Sequence, residues 1–411
     1  MKKFISLVMA IVLFASSSYA GILDSVKYYG EGSFYGAASQ GMNDYLSGTG
    51  FYGILGLQAD VYENITASFA LGYTRLWGNN LNNPVSGVPV EDNNYGLLNN
   101  LKIVEANIAF DKIFDVEGLK IKVGRQFYGD EDSTVMYFGV RRDDPLRILN
   151  KSAITSIDAI TAYYENEHIK ANAVFATFQN YSANSGKNNN TTLSGIDFKY
   201  LNIADMIDIE GYFYDMENLY SVRHYDILGA KGTFHKDFIN ENVLTASAEI
   251  AKNFAGEDIL SADVESLDTN LIKLDASFEI KNIGLTPRAS VGFFGGWDKK
   301  TGVKHFRSFG NYAPGLISIN EATSEDFVDL QVANLGADYT LKKFTFSVDF
   351  FNFDYRQYDG SSNAFPQGEL DLQVTYAYTE NIDFNIGIGH LFAKKSDNDI
   401  AYTQAGLSYK F

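Results

Sequence analysis

Between Leu119 and Leu149 the chain reads LKIKVGRQFYGDEDSTVMYFGVRRDDPLRIL. Four arginines (Arg125, Arg141, Arg142, Arg147) are crowded against five carboxylates (Asp130, Glu131, Asp132, Asp143, Asp144), with Lys120, Lys122 and Gln126 leading in. A guanidinium is a flat, permanently charged fork that matches a carboxylate or a phosphate. The chemistry on offer is therefore recognition rather than bond-making. Two arrangements give these charges a use. Folded inward across a bore, the segment would narrow it and sort solutes. Left outside, its charges would pair with one another and bridge lipopolysaccharide phosphates. The sequence leaves both open.

Nothing else in the chain assembles an obvious reactive set. The five histidines (His168, His224, His235, His305, His390) lack metal-ligand spacing such as HExxH. His224 and Asp226, in RHYD, could form a dyad at a rim, but a rim histidine in a polar loop is the simpler reading. GDEDS and GEDILSADVES are acidic without the spacing of an EF-hand. No cofactor, no metal and no catalysis are expected. A net charge of -18 argues against a nucleic-acid partner, and the absence of cysteine means that no disulfide is used.

The elements that must position these residues are strands. In NLIKLDASFEIKN, Ile272, Leu274, Ala276, Phe278 and Ile280 take one face while Lys273, Asp275, Ser277 and Glu279 take the other. ELDLQVTYAYTE, MIDIEGYFYD and ITASFALGYTRLW repeat the pattern. Some eighteen such segments, with sixteen as the nearest alternative, each have the roughly 9–11 residues that a tilted strand needs to cross a bilayer. Gly 36, Tyr 27 and Phe 31 against Pro 6 suit long antiparallel strands. Short connections near residues 62–64, 112–118, 165–167, 203–205, 237–242, 281–284, 342–343 and 379–381 alternate with long ones at about 78–100, 128–152, 179–191, 253–268, 297–326 and 357–367. The expectation is an all-β, up-and-down antiparallel transmembrane barrel.

Residues 1–20 read as a cleaved signal peptide: Lys2 and Lys3, a short apolar run, then small residues at Ser18 and Ala20. Residues 21–411 would be a single barrel domain whose even strand count returns the C-terminus to the periplasm. The final run, IAYTQAGLSYKF, alternates to its last residue. That is expected if it closes the barrel against VKYYGEGSFYGA and leaves no backbone edge in lipid. Where the alternation changes phase, near Ala333 and Phe351, either β-bulges or strand ends placed differently would account for it.

A greasy exterior makes the polar face the lumen. Glu31, Glu105, Asp158, Asp197, Asp208, Glu210, Glu249, Asp275, Glu279, Asp349, Asp371 and Asp383 would line it. So would Lys120, Lys122, Lys170, Lys199, Lys231, Lys273, Arg288 and Lys410. The acidic excess points to mild cation preference. Tyrosines cluster near strand ends (Tyr28, Tyr29, Tyr163, Tyr164, Tyr212, Tyr214, Tyr376 and Tyr378), and the outward ones suit interfacial girdles. Inward Tyr29, Tyr212 and Tyr214 offer a sugar-stacking face.

VGRQFYGDEDS, followed by IDAITAYYEN, resembles the alginate-export family of outer-membrane channels, and the strand count with a C-terminal phenylalanine resembles the 18-stranded substrate-specific porins. Gly124, Arg125, Gln126, Gly129 and Asp130 carry the first likeness. It implies a monomeric barrel that conducts small or linear anionic solutes through an arginine-lined constriction, and an aromatic Phe411 that the barrel-assembly machinery reads. The expected function is passive diffusion of small hydrophilic solutes or ions across the outer membrane. Alternatives are an alginate-export-like path for anionic sugars or organic acids, a structural or adhesive barrel, and an outer-membrane hydrolase. Whether the barrel is a monomer or a trimer stays open.

Overall fold

The computed structural model describes residues 25–41, 44–77, 101–140, 154–182, 187–219, 222–238, 241–255, 269–295, 305–307, 326–328, 330–355, 366–393 and 399–411. The expected signal peptide and Arg141, Arg142 and Arg147 lie outside them.

The chain runs through β1 (Lys27–Gly41), β2 (Asp44–Tyr62), β3 (Ile65–Trp77), β4 (Leu101–Asp111), β5 (Leu119–Gln126) and β6 (Ile157–Glu165). It continues through β7 (Ile169–Ser182), β8 (Lys187–Ile203), β9 (Ile207–Leu219), β10 (Val222–Asp237), β11 (Val243–Ala255), β12 (Thr269–Glu279) and β13 (Leu285–Gly295). After a small ribbon, β14 (His305–Arg307) with β15 (Asp326–Val328), come β16 (Leu330–Leu341), β17 (Phe344–Tyr355), β18 (Pro366–Thr379), β19 (Ile382–Ala393) and β20 (Ile400–Lys410). All but the ribbon belong to one antiparallel sheet of 18 strands. β1 pairs with both β2 and β20, so the sheet has no edge. Closure extends past the last strand: Gly30 and Phe411 exchange both backbone hydrogen bonds, at 3.0 and 2.9 Å.

All eight expected short turns join strands at the end that carries both termini, here called the turn end. The opposite, loop end differs from expectation at one described place. Residues 179–191, read as a long loop, are largely strand: β7 runs to Ser182 and β8 starts at Lys187 in continuous register.

Side chains alternate as the period-two pattern requires. Leu55, Ile160, Phe175, Ile196, Leu274, Leu335, Ile386 and Ile388 stand exposed on the outer face. Near the turn end this face carries ring-to-ring contacts through Tyr339, Phe346, Phe344, Tyr376, Tyr378 and Phe384. Tyr409 and Phe411 stack there at 6.4 Å. An apolar surface this continuous is incompatible with water, and its aromatic border is that of a lipid-facing barrel.

Two expectations about faces need correction. Asp158 was placed in the lumen, but β6 buries Ile157, Ala159 and Thr161 and presents Asp158 on the outer side with Ile160. Nor are there bulges at Ala333 or Phe351: the pairings of β13, β16, β17 and β18 run there without a register shift. The inner wall itself changes character. Leu330, Val332, Phe351 and Phe353 point inward near the loop end, whereas Asn334, Asp338 and Asp349 of the same two strands point inward below them. The apolar phase switch seen in sequence is a buried inner surface. A shift does occur between Ala70 and Leu71 opposite β4, where consecutive Val104 and Glu105 are both buried.

Candidate constriction site

What covers that inner apolar surface is the segment after β5. Gln126, fully buried, anchors its departure: Nε2 donates to the Ala159 carbonyl at 3.1 Å and Oε1 accepts from Thr161 at 2.9 Å. Gly124 has φ +121, and a Cβ there would lie 2.3 Å from the Ala106 carbonyl oxygen. Gly129, φ +87, would meet the Met136 carbonyl at 2.4 Å. Between them Tyr128 and Phe138 exchange backbone hydrogen bonds at 2.8 and 2.7 Å. Ser133 Oγ accepts from the amides of Val135 and Met136, at 3.3 and 3.1 Å. The result is a compact fold of chain whose apolar residues face the wall.

This loop reaches both sides of the bore. Tyr128, Val135, Met136 and Phe138 join a buried cluster with inner-wall residues from β6 round to β17, among them Leu193, Met216, Ile227, Phe294 and Phe353. Val140 and Ile154 join a separate cluster with Tyr35, Tyr52, Ile54, Ala70 and Val104 of β1 to β4. The described part of the segment thus packs against inner-wall residues on both sides of the barrel.

A polar latch reinforces the seat. The Tyr128 hydroxyl donates to Asp197 Oδ2 at 3.0 Å, and its ring meets Tyr214 edge-on at 6.5 Å. Asp197 also accepts from Asn172 at 2.6 Å and from Tyr214 at 3.3 Å. Burial, with the negative neighbour Asp197, pushes the Tyr128 phenol well up from its ordinary value, so it remains a donor. Tyr212 donates to Glu249 at 2.8 Å. Tyr29, Tyr212 and Tyr214 do point inward as expected, but Tyr212 and Tyr214 are buried with their hydroxyls engaged, so they are wall rather than a sugar-stacking surface.

The charged candidates divide as follows. Arg125 leaves the lumen: it shares the outer side with Val123 and Asp158, and clamps Asp158 through Nε (2.7 Å) and Nη2 (2.5 Å). Asp130, Glu131 and Asp132 lie on the inward loop, where Asp130 adds its negative field to those of Asp197 and Glu210. Among the described residues, the loop is acidic and carries no cation. Lys120 pairs with Asp111 at 3.1 Å, and Lys122 faces Glu105, which accepts from Tyr29 at 2.5 Å. Across the bore, Arg288 holds Asp349 through Nε (3.2 Å) and Nη2 (2.5 Å) and also pairs with Asp338, while Asn334 donates to Asp349 at 3.0 Å. Asp208, Glu210 and Asp275 are inward as expected: Asp208 faces His235 at 3.8 Å and Asp275 pairs with Lys273 at 2.9 Å. His224 and Asp226 stand on the outer side, and the nearby Ser194 hydroxyl donates to Asp215 (3.4 Å), not to a histidine.

Sequence reasoning missed Tyr128, Asn172 and Thr161 as site residues. Tyr128 follows the VGRQ motif by two positions, but only the fold brings it to Asp197.

No family model matches the chain, and no curated protein does. Solved structures share the fold. Pseudomonas aeruginosa OccK2 (OpdF), in complex with glucuronate, superimposes with a TM-score of 0.64 at 10% identity, covering 95% of this chain and 99% of that one. OccK5 (OpdH) of the same organism gives 0.64 at 14%, covering 95% and 99%. Its OprD gives 0.62 at 11%, covering 96% and 97%. These neighbours are 18-stranded outer-membrane porins of the OprD/Occ group, and this chain is similar to them in architecture from end to end.

Proposed function

We propose that the protein is a passive channel of a bacterial outer membrane for small hydrophilic solutes, with its bore narrowed by the loop between β5 and β6. The observation that carries this is one closed sheet, apolar outside and charged inside, with that loop seated on both inner walls. An unfilled barrel of this strand number encloses an aqueous channel. The turn end and Phe411 face the periplasm in this reading, and transport runs down the solute gradient without catalysis. The acidic loop and the carboxylates of the described wall favour cations over anions. The bound glucuronate of OccK2 motivates a second reading, an anion path, to which the inward Lys120 and Lys122 would contribute.

Purified protein in planar bilayers should give stepwise, ohmic conductance, with a reversal potential displaced toward cations in a salt gradient. Silence would favour a blocked, adhesive barrel, and an anion-selective displacement would overturn the cation reading.

A further inference from the structure

Cross-strand register places seven charged residues in one unbroken row along the inner wall. Glu165 of β6 is opposite Lys170 of β7, which is opposite Lys199 of β8. The row continues through Glu210 of β9, Lys231 of β10 and Glu249 of β11 to Lys273 of β12. Beyond Lys273 stands Gly292, buried beside Phe294 and Val332 of the loop-end cluster.

A row at right angles to tilted strands is itself inclined to the barrel axis. Glu165 and Lys170 flank the β6–β7 turn, whereas Lys273 lies midway along β12. Exposure falls in the same direction, from 62% and 46% for the side chains of Glu165 and Lys170 to 14% for Lys273. The row is thus a staircase from the turn-end mouth to the constriction.

Its two ends are closed by ion pairs, Lys170 with Glu165 at 2.6 Å and Lys273 with Asp275 at 2.9 Å. Its middle is not. Lys199 and Lys231 flank Glu210 closely enough to act on it electrostatically, yet among the described residues neither makes an ion pair with it within 4.0 Å. Three alternating charges therefore face the lumen about 5 Å apart, the spacing of direct cross-strand partners.

We infer, on the channel reading above, that Lys199, Glu210 and Lys231 form a track for solutes that carry an ammonium and a carboxylate in one small molecule. A simple anion attracted by a lysine meets the glutamate one step on, and a simple cation meets the reverse. A zwitterion whose two charges are separated by about one cross-strand step places each against its complement at every position. Two such contacts at this spacing, in partly screened surroundings, amount to about tenfold in occupancy.

The test is uptake into proteoliposomes of three labelled four-carbon solutes, 4-aminobutyrate, succinate and putrescine, with arabinose as a neutral measure of the open bore. The wild type should admit 4-aminobutyrate about tenfold faster than either singly signed solute. Replacing the three residues together by glutamine (K199Q/E210Q/K231Q) should abolish that preference. Reversing all three signs (K199E/E210K/K231E) should preserve it, which a merely structural role for particular pairs would not require. Equal uptake of the three solutes by the wild type, or an unchanged ranking in the glutamine variant, overturns the inference while arabinose uptake leaves the channel reading standing. Failure of arabinose itself to enter overturns both.

Discussion

Replacing Tyr128 by phenylalanine removes one oxygen atom from the seat of the inward loop after β5. The hydroxyl donates to an ionisable partner, Asp197, at 3.0 Å, in a site where Tyr128 is 3% exposed. A hydrogen bond to a charged group contributes about 1.5–3 kcal/mol. Asp197 keeps two other donors, Asn172 at 2.6 Å and Tyr214 at 3.3 Å, so it is not orphaned and the lower figure applies. About 1.5 kcal/mol is roughly a tenfold shift between seated and unseated loop. Tyr128→Ala also removes the ring from the Tyr214 edge contact and from the apolar cluster. Truncating a buried aromatic to alanine costs about 3–5 kcal/mol, two to three powers of ten in the same equilibrium. Single-channel recording reads this as the fraction of time spent at a higher conductance level. That fraction should rise about tenfold in Tyr128→Phe and saturate in Tyr128→Ala. Combined with Asp197→Ala, which removes the acceptor, the phenylalanine variant should add little, because the interaction is already broken. If Tyr128→Phe behaves as wild type while Tyr128→Ala opens the channel, packing alone holds the loop. If neither changes the current, this loop is not the constriction.

Three further outcomes are expected. Arg288→Gln leaves Asp349 and Asp338 without their cation, which for a part-buried network costs about 3–5 kcal/mol; the unfolding transition should move to lower denaturant and the reversal potential further toward cations. A Cβ at Gly229 would fall 2.4 Å from the Tyr212 ring, so Gly229→Val should displace that ring from Glu249 and alter single-channel current without loss of assembly into the membrane. Leu274→Arg, on the outer face of β12, should lower folding into lipid vesicles by about 2–4 kcal/mol near the bilayer midplane, whereas Ser277→Arg on the inner face of the same strand should not.

Strand number, the short turns, closure by the last strand and most inner charges were legible because a side-chain period of two converts directly into faces. Asp158 was misplaced because the rule puts every charge inside; on the outer side it is paired with Arg125 through two hydrogen bonds, and a charge so satisfied breaks the inside-polar rule without breaking the fold. The phase switches at Ala333 and Phe351 suggested bulges or differently placed strand ends because the rule assumes a wet interior throughout. They mark instead where the interior is dry. Tyr128 and the alternating row were invisible for different reasons: the first depends on a contact 69 residues away, the second on six cross-strand pairings that no single strand encodes.

The dry and wet zones of the inner wall depend on each other. Inward Ile157, Leu193, Met216, Ile227, Leu271, Phe294, Leu330 and Phe353 all lie in the loop-end halves of their strands. Exposed to a water-filled bore, they would be as unfavourable as the outer face is in water, so their burial holds the loop in place. With the loop so fixed, the carboxylates and lysines of the turn-end halves other than Asp197 need not serve as its anchors. They stay half-buried on the inner wall, with Lys199, Glu210 and Lys231 held apart rather than collapsed into ion pairs. A barrel whose loop was held by charge would consume those charges in holding it. Here an apolar seat with a polar latch at Asp197 leaves the charged staircase available to whatever passes.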